Sequence, residues 1–349
     1  MKQIGIVRLD RIGDTILTLP AIKLIKQKYP DCKIVGFFNQ YNSQLFLYNS
    51  EIIYPYLDVI EILQINLNYQ DIEKFSPLKN IFEYLKIIFW KKRKRYSFEK
   101  IFVFSPTTSS YLLGSSLKAQ KKYTYFYQSR LNRFIFSNKY SYYLDDIDKS
   151  SISDYKNVRH EIFQNLEVLR LDFYFDFEDL SNYRPEIFLP DIPFEKYDLL
   201  VFDKKLWFYN PQGIRWLKIF INTIFNKAKN FNKNIKVGFI SNRKEITDIA
   251  INPSITELLG LVKNCRCVVC FDSGIVHIAS AFNTNIVAIF ANRYFEFDTR
   301  RWSPLSDNKK IVKLDIFADD NFDSIDFEIT NPAEFAEYVF YQATEYLQT

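Results

Sequence analysis

The sequence predicts an α/β protein of two domains, each built on a parallel sheet. Short apolar runs alternate with amphipathic stretches along the chain, the layering of strands and crossover helices. That alternation occurs twice, on either side of a stretch punctuated by Pro185, Pro190 and Pro193. The chain has 349 residues, 48% of them hydrophobic, and so exceeds the size at which one core usually divides.

The elements follow in order. Ile4 to Arg8 reads as a first buried strand. Thr15 to Lys28 carries Leu17, Ala21, Leu24 and Ile25 at helical spacing, and Pro30 and Asp31 end it. Lys33 to Phe38, Val59 to Leu63 and Lys100 to Phe104 are further strands, with a helix over Lys79 to Trp90. Tyr123 to Tyr127 closes the first sheet in this reading, and Gln128 to Tyr155 is a long polar loop. His160 to Leu171 recovers helical spacing through Ile162, Leu166 and Leu169. The second half predicts strands at 205–209, 236–240, 266–271 and 285–290. Helices are expected at 214–229, 255–263, 274–282 and 332–347. Two such halves place a cleft between the carboxyl ends of their sheets, where open α/β folds hold ligands.

Composition excludes several classes. No apolar run reaches the roughly 20 residues that span a bilayer. Charge arrives at Lys2 and Arg8, too early for a signal-peptide core. A cytoplasmic enzyme is therefore the expectation. The net charge of +5 is modest, and no nucleic-acid reading motif accompanies it. Of the four cysteines, Cys265, Cys267 and Cys270 lie in CRCVVC, which reads as a buried strand and not as a metal site. Lys91, Lys92, Arg93, Lys94 and Arg95 follow the apolar stretch Ile87 to Trp90. That run is either a solvated helix end or a patch for anionic headgroups and the phosphates of a lipid-linked acceptor.

Only eight glycines occur, and Gly13, Gly213 and Gly274 each sit between a predicted strand and a predicted helix. Backbone N–H groups at such a helix start favour a phosphate. The sharpest signal is Phe271-Asp272-Ser273-Gly274-Ile275-Val276-His277, where a buried strand ends at an aspartate and a Ser-Gly turn opens a helix. Asp272 or Ser273 could cap that helix. Even so, one of the chain's two histidines falls where a diphosphate would bind. A second signal, Arg8-Leu9-Asp10-Arg11-Ile12-Gly13-Asp14, ends the first strand. Its Asp14 either caps the following helix or projects a carboxylate able to take a proton from an attacking hydroxyl.

The stretches VRLDRIGDTILTLPAI and DSGIVHIASAFNTNIVAIF together resemble glycosyltransferase family 9, the ADP-heptose:lipopolysaccharide heptosyltransferases. The similarity runs from the first strand to near Lys313 and is thin in the middle. It implies the GT-B fold, two Rossmann-like domains facing a cleft. Residues 1–172 would bind the acceptor and 173–330 the nucleotide sugar, while a last helix over 331–349 would pack back toward the first domain. By the same resemblance Asp14 is the base, with Arg8, Asp10, Arg11 and Gly13 of its loop on the acceptor. Asp272, Ser273, Gly274 and His277 would hold donor phosphate. Asn210-Pro211-Gln212-Gly213 looks like a second donor-facing turn, and Glu245 resembles the acidic residue that holds the ribose. His160-Glu161 matches a recurrent helix start of the family.

Two departures fall on the donor side. The polar segment after the Pro-x-Gly turn shortens to Ile214-Arg215-Trp216, which leaves Arg215 as the candidate diphosphate cation. Ala291-Asn292-Arg293 replaces the usual Gly-Pro-Thr. The implied reaction is inverting transfer of heptose from ADP-heptose to lipopolysaccharide inner core, without metal or cofactor, at the inner membrane's cytoplasmic face. No Asp-x-Asp triplet adjoins these motifs, and Asp319-Asp320 sits in an acidic tail. Use of another nucleotide sugar, a nucleotide-sugar epimerase, and a degenerate binder without activity are the rival readings.

Overall fold

The computed structural model describes residues 2–64, 85–87, 96–127, 140–144, 158–175, 179–204, 207–208, 210–243, 246–247, 250–318, 325–326 and 330–348. The chain divides into two units, Met1–Ile152 with Glu161–Pro190 and Ser153–His160 with Asp191–Thr349. The division between units thus falls near Pro190 and not after residue 172, and the segment ending at His160 belongs to the second unit.

In the first unit β1 (Gln3–Arg8) leads into α1 (Ile12–Ile16) and α2 (Leu19–Lys28), then β2 (Lys33–Asn39). The single helix expected over 15–28 is two, because Pro20 in the first turn of α2 has no N–H to extend a helix through Leu17 and Thr18. A hairpin of β3 (Leu47–Tyr48) and β4 (Glu51–Ile52) turns through Asn49 and Ser50, both at positive φ, and precedes β5 (Val59–Leu63). Then come β6 (Ser97–Val103), α3 (Thr108–Ser116), β7 (Lys118–Tyr127), β8 (Tyr140–Leu144) and α4 (Glu161–Arg170). β8 corrects the reading of 128–155 as one loop, since Tyr140–Leu144 pairs in parallel with β7 and extends the sheet. The strand order is β5-β2-β1-β6-β7-β8, all parallel, the Rossmann arrangement, which reverses direction between β1 and β6. Val7, Val35, Phe37, Ile101 and Val103 fill one core face, closed by Tyr111 and Leu113 of α3. Of the helix expected at 79–90 only 85–87 are described, and they are helical; the basic run 91–95 lies outside the described residues.

The second unit repeats the plan. β9 (Leu199–Phe202), α5 (Pro211–Phe231), β10 (Val237–Ile240) and β11 (Ala250–Ile251) come first. α6 (Ile255–Asn264), β12 (Cys267–Phe271), α7 (Gly274–Phe282) and β13 (Asn285–Ala291) follow. α8 (Phe295–Trp302), β14 (Lys309–Leu314) and α9 (Pro332–Leu347) end the unit. The order β11-β10-β9-β12-β13-β14 is again parallel and reverses between β9 and β12. The first strand of the unit is the buried run Leu199–Phe202, which pairs with both neighbours; of the strand expected at 205–209 only Trp207 and Phe208 are described, and neither lies in a strand. The cysteines of CRCVVC are free buried thiols beside or within β12, and burial pushes Cys265 up to about 12, so they serve as core.

The last helix joins the core of its own unit. Phe335, Val339, Phe340 and Ala343 of α9 join the core formed by α5 and the sheet. Trp216 is the hinge of that core. Its ring stacks on Phe208 at 5.6 Å and Phe220 at 5.3 Å, and its Nε1 donates to Thr330 O at 2.9 Å. Trp216→Ala is expected to cost roughly 3–5 kcal/mol, the usual loss for a deleted core aromatic. Urea denaturation checks this; a loss below about 1 kcal/mol would show that the site collapses without α9.

Candidate functional site

Both sheets reverse order beside their first strand, and in open α/β folds ligands bind at the carboxyl end of that switch point. In the first unit the residues arriving there are Arg8 to Asp14 from β1 and Phe104 to Ser110 from β6.

Arg8 is buried, 1% exposed, and its guanidinium is contacted on every edge. Nε meets Asp10 Oδ1 at 2.7 Å, an ion-pair contact without hydrogen-bond alignment. Nη1 donates to Phe104 O and reaches Asn165 Oδ1 of α4 at 3.4 Å. Nη2 stands 3.5 Å from Asp14 Oδ1. Burial works against the Arg8 charge, but Asp10 and Asp14 outweigh it and hold the group more firmly protonated than usual. Burial pushes the Asp10 carboxyl up and the Asp14 charge adds to this, while Arg8 and Ser105 oppose. Two amides pin the loop backbone. Asn39 Nδ2 donates to Leu9 O at 3.0 Å and Asp10 O at 2.8 Å. Asn42 Nδ2 donates to Arg8 O at 3.0 Å and Thr15 Oγ1 at 2.9 Å.

Asp14 does not cap α1. Arg11 holds the N-cap position without a side-chain capping bond, and the Asp14 side chain, in the first turn, is 28% exposed. Its carboxylate therefore faces outward beside a buried cation. Arg8 and Asp10 do not stand ready for an acceptor as the resemblance implied, because both are buried against each other; Gly13 is buried in α1, and Arg11 is exposed. The sequence reading missed the hydroxyl-rich start of α3. Ser105 Oγ lies 3.1 Å from Thr107 Oγ1, which donates to Ser110 Oγ at 2.9 Å and caps the helix. The run Ser-Pro-Thr-Thr-Ser-Ser after β6 was the available signal.

In the second unit the switch point gathers the end of β9 and the turn after β12. Lys204 Nζ lies 3.2 Å from Asp272 Oδ2 and 4.1 Å from the Trp207 ring centroid. Asp272 N donates to Ile289 O at 2.8 Å, which ties the turn to β13. Ser273 occupies the N-cap of α7 without capping it, and its buried Oγ has no hydrogen-bond partner among the described residues. The first amides of α7, at Gly274 and Ile275, have no acceptor within the helix. A helix start left uncapped, an unpartnered hydroxyl and an ammonium together suit an anion. His277 is buried in the same first turn. Asp203 braces the loop from the other side, accepting from Ser241 Oγ at 2.5 Å and pairing with Arg243 Nε at 3.0 Å. Arg243 Nη1 also donates to Phe208 O.

Among the described residues Lys204 is the cation placed against Asp272, while the expected diphosphate cation was Arg215. Arg215 is exposed in the second turn of α5. The Pro211-Gln212-Gly213 turn is the start of α5, where Gly213 N donates to Asn210 Oδ1 at 2.7 Å, so its amide already has an acceptor. Glu245 lies outside the described residues, as do Asp319 and Asp320. A cavity of about 340 Å³ sits at the opposite, amino-terminal edge of β12 and β13, beside Lys263, Arg266 and Tyr346.

His160 is buried in the second unit with Nε2 3.1 Å from Ser303 O, so the neutral ring donates there. Burial pushes it down to about 3, and the charges of Lys309 and Arg301 and the neighbouring His277 act in the same direction. The unfolded chain therefore binds the proton first. The stabilising contribution is complete above an unfolded value near 6.5 and falls as pH drops toward 3. Between pH 6.5 and 4.5 the wild type should lose up to about 1.4 kcal/mol per pH unit more than His160→Gln, read from urea melts at each pH. Parallel slopes for the two proteins would contradict this.

A model of glycosyltransferase family 9 (heptosyltransferase) matches residues 225–328, a stretch of the second unit. No curated protein matches the chain by sequence. Among solved structures, Escherichia coli heptosyltransferase WaaC with ADP superposes with a TM-score of 0.61 at 12% identity, covering 97% of this chain and 99% of that one. E. coli ADP-heptose lps heptosyltransferase II gives 0.57 at 10% identity, covering 100% and 99%. The family 9 glycosyltransferase of Veillonella parvula gives 0.58 at 15% identity, covering 90% and 86%. The likeness shows a shared two-unit GT-B fold along the chain. No described helix is long and apolar enough to cross a membrane.

Proposed function

We propose that the chain transfers heptose from ADP-heptose to the inner core, Kdo or heptose, of lipopolysaccharide, by an inverting mechanism that needs no metal. The uncapped start of α7 beside Lys204 carries the reading, because it offers an anion site in a unit whose residues 225–328 match a heptosyltransferase family. Amides at Gly274 and Ile275, the Ser273 hydroxyl and the Lys204 ammonium meet the negative charge that grows on the leaving diphosphate. Such preorganised stabilisation acts most strongly as charge develops. His277, in the same turn, belongs to this donor site. Asp14 takes the proton of the acceptor hydroxyl as its oxygen attacks the anomeric carbon on the face opposite the diphosphate. The C–O bond to diphosphate breaks as the new glycosidic bond forms, which inverts the centre. Arg11, exposed in the same loop, is the cation this reading assigns to an anionic acceptor. The place of work in this reading is the cytoplasmic face of the inner membrane, where such an acceptor is assembled.

A thermal-shift panel of nucleotide sugars tests the donor. ADP-heptose should raise the melting temperature more than UDP- or GDP-sugars at equal concentration. Stabilisation by a different nucleotide sugar alone would move the donor assignment and keep the transferase reading; stabilisation by none would leave a member without donor binding.

A further inference from the structure

We propose that Arg8 is a positioning residue for Asp14, a guanidinium held in place by separate elements so that one N–H edge is left to orient the base. The inference rests on the reading of Asp14 as the base. An arginine on a flexible surface loop could not do this, since its side chain would follow the carboxylate. Arg8 is instead immobilised, buried at the end of β1. Each nitrogen has its own neighbour: Nε faces Asp10 at 2.7 Å, Nη1 donates to Phe104 O after β6 and reaches Asn165 Oδ1 of α4, and Nη2 faces Asp14 at 3.5 Å. Asn165 is itself held, its Nδ2 donating to Leu17 O at 3.0 Å. The plane of a guanidinium with two edges pinned cannot rotate, so the direction of Nη2 is set by the core and not by Asp14. The other ionisable groups that bear on Arg8 are Glu161 of α4 and Tyr125 of β7.

Only arginine has this fork; a lysine keeps the charge but offers a single ammonium that cannot meet Asp10, Phe104 O and Asp14 along fixed directions. A base displaced by about 1 Å loses on the order of 100-fold in rate. Arg8→Lys should therefore lower kcat by about 100-fold, with ADP affinity and the donor KM unchanged, because the donor residues lie in the second unit. Asn165→Ala keeps Arg8 and its charge but releases one edge of the fork, and should lower kcat by a smaller factor with the same unchanged KM. It also serves if Arg8→Lys does not fold.

The comparison must include Asp14→Ala and be normalised to folded protein by calorimetry. Loss of kcat at constant donor KM in folded Arg8→Lys, graded in Asn165→Ala, supports the inference. If both variants keep wild-type kcat while Asp14→Ala is inactive, the positioning role fails and the base reading stands. If Asp14→Ala itself retains wild-type transfer, the base reading fails and the inference with it. A purely structural role would lower the melting temperature of Arg8→Lys while leaving kcat per folded molecule at the wild-type value.

Discussion

Asp14→Ala should reduce sugar transfer by about 10²- to 10⁴-fold, the range lost when a positioned general base is removed, while leaving ADP binding intact. The expectation is specific because the side chain has no competing structural task. It does not cap α1, whose N-cap is Arg11, and its carboxylate is the exposed member of the Arg8–Asp10–Asp14 cluster. Arg8 keeps its closer partner, Asp10, when Asp14 is shortened, so no buried charge is left alone. The fold should hold, with a melting temperature close to wild type. Asp14→Asn, equal in size and unable to accept the proton, should be as inactive as Asp14→Ala. Transfer by Asp14→Asn within threefold of wild type would sink the assignment. ADP affinity measured by calorimetry on the same preparations separates loss of chemistry from loss of donor binding.

Lys204→Met should weaken ADP binding and lower kcat by about 10²- to 10³-fold, the scale found when one donor to a developing oxyanion is removed. The methionine keeps an apolar stem against Trp207, whose ring the ammonium overlies at 4.1 Å, so packing changes little. What disappears is the only cation that the described residues place against Asp272, 3.2 Å away. Without it the Asp272 carboxylate would face the diphosphate of the proposed donor uncompensated, which should cost affinity as well as rate. Lys204→Arg should recover part of both. Arg215→Met, on the exposed side of α5, should change neither by more than about twofold, a loss far below one charge-assisted contact. If Lys204→Met binds ADP like wild type and Arg215→Met does not, the cation has been misassigned.

The run 205–209 is as apolar and aromatic as Leu199–Phe202, and a short strand buried on both faces has no alternation to mark its limits. Placing it six residues late hid Lys204 at the carboxyl end of β9, where a ligand-facing residue belongs. Arg215 comes from the resemblance instead, as the basic residue left in the shortened segment after the Pro-x-Gly turn. The turn at Asn210 to Gly213 was visible as a strand-to-helix junction, but whether its amide faces a ligand or its own cap depends on one side-chain rotamer. Asn210 takes it.

Other parts were legible because local chemistry and packing agree. β5, α7 and α9 lie where periodicity put them, and Asn331 with Pro332 marks the start of α9 as a cap and first turn should. β8 was hidden by its tyrosine- and serine-rich composition, which looks polar yet pairs with β7 at the edge of the sheet. In the loop after β1 the residue types mark a charged cluster, but burial could not be read from them. Arg8 and Asp10 look like surface ligands in sequence and form a buried pair in the structure. His160-Glu161 was recognised without a role, because its contact is with Ser303, far along the chain.

The central claim is that this protein joins a sugar from ADP-heptose to a saccharide hydroxyl. Mass spectrometry of a truncated, Kdo-terminated lipopolysaccharide core incubated with ADP-heptose and the protein tests it most directly. The account predicts a single heptose added to the acceptor, ADP released in equal amount, and both lost in Asp14→Ala. ADP-heptose left intact, or hydrolysed at a rate that ignores the acceptor, would contradict it.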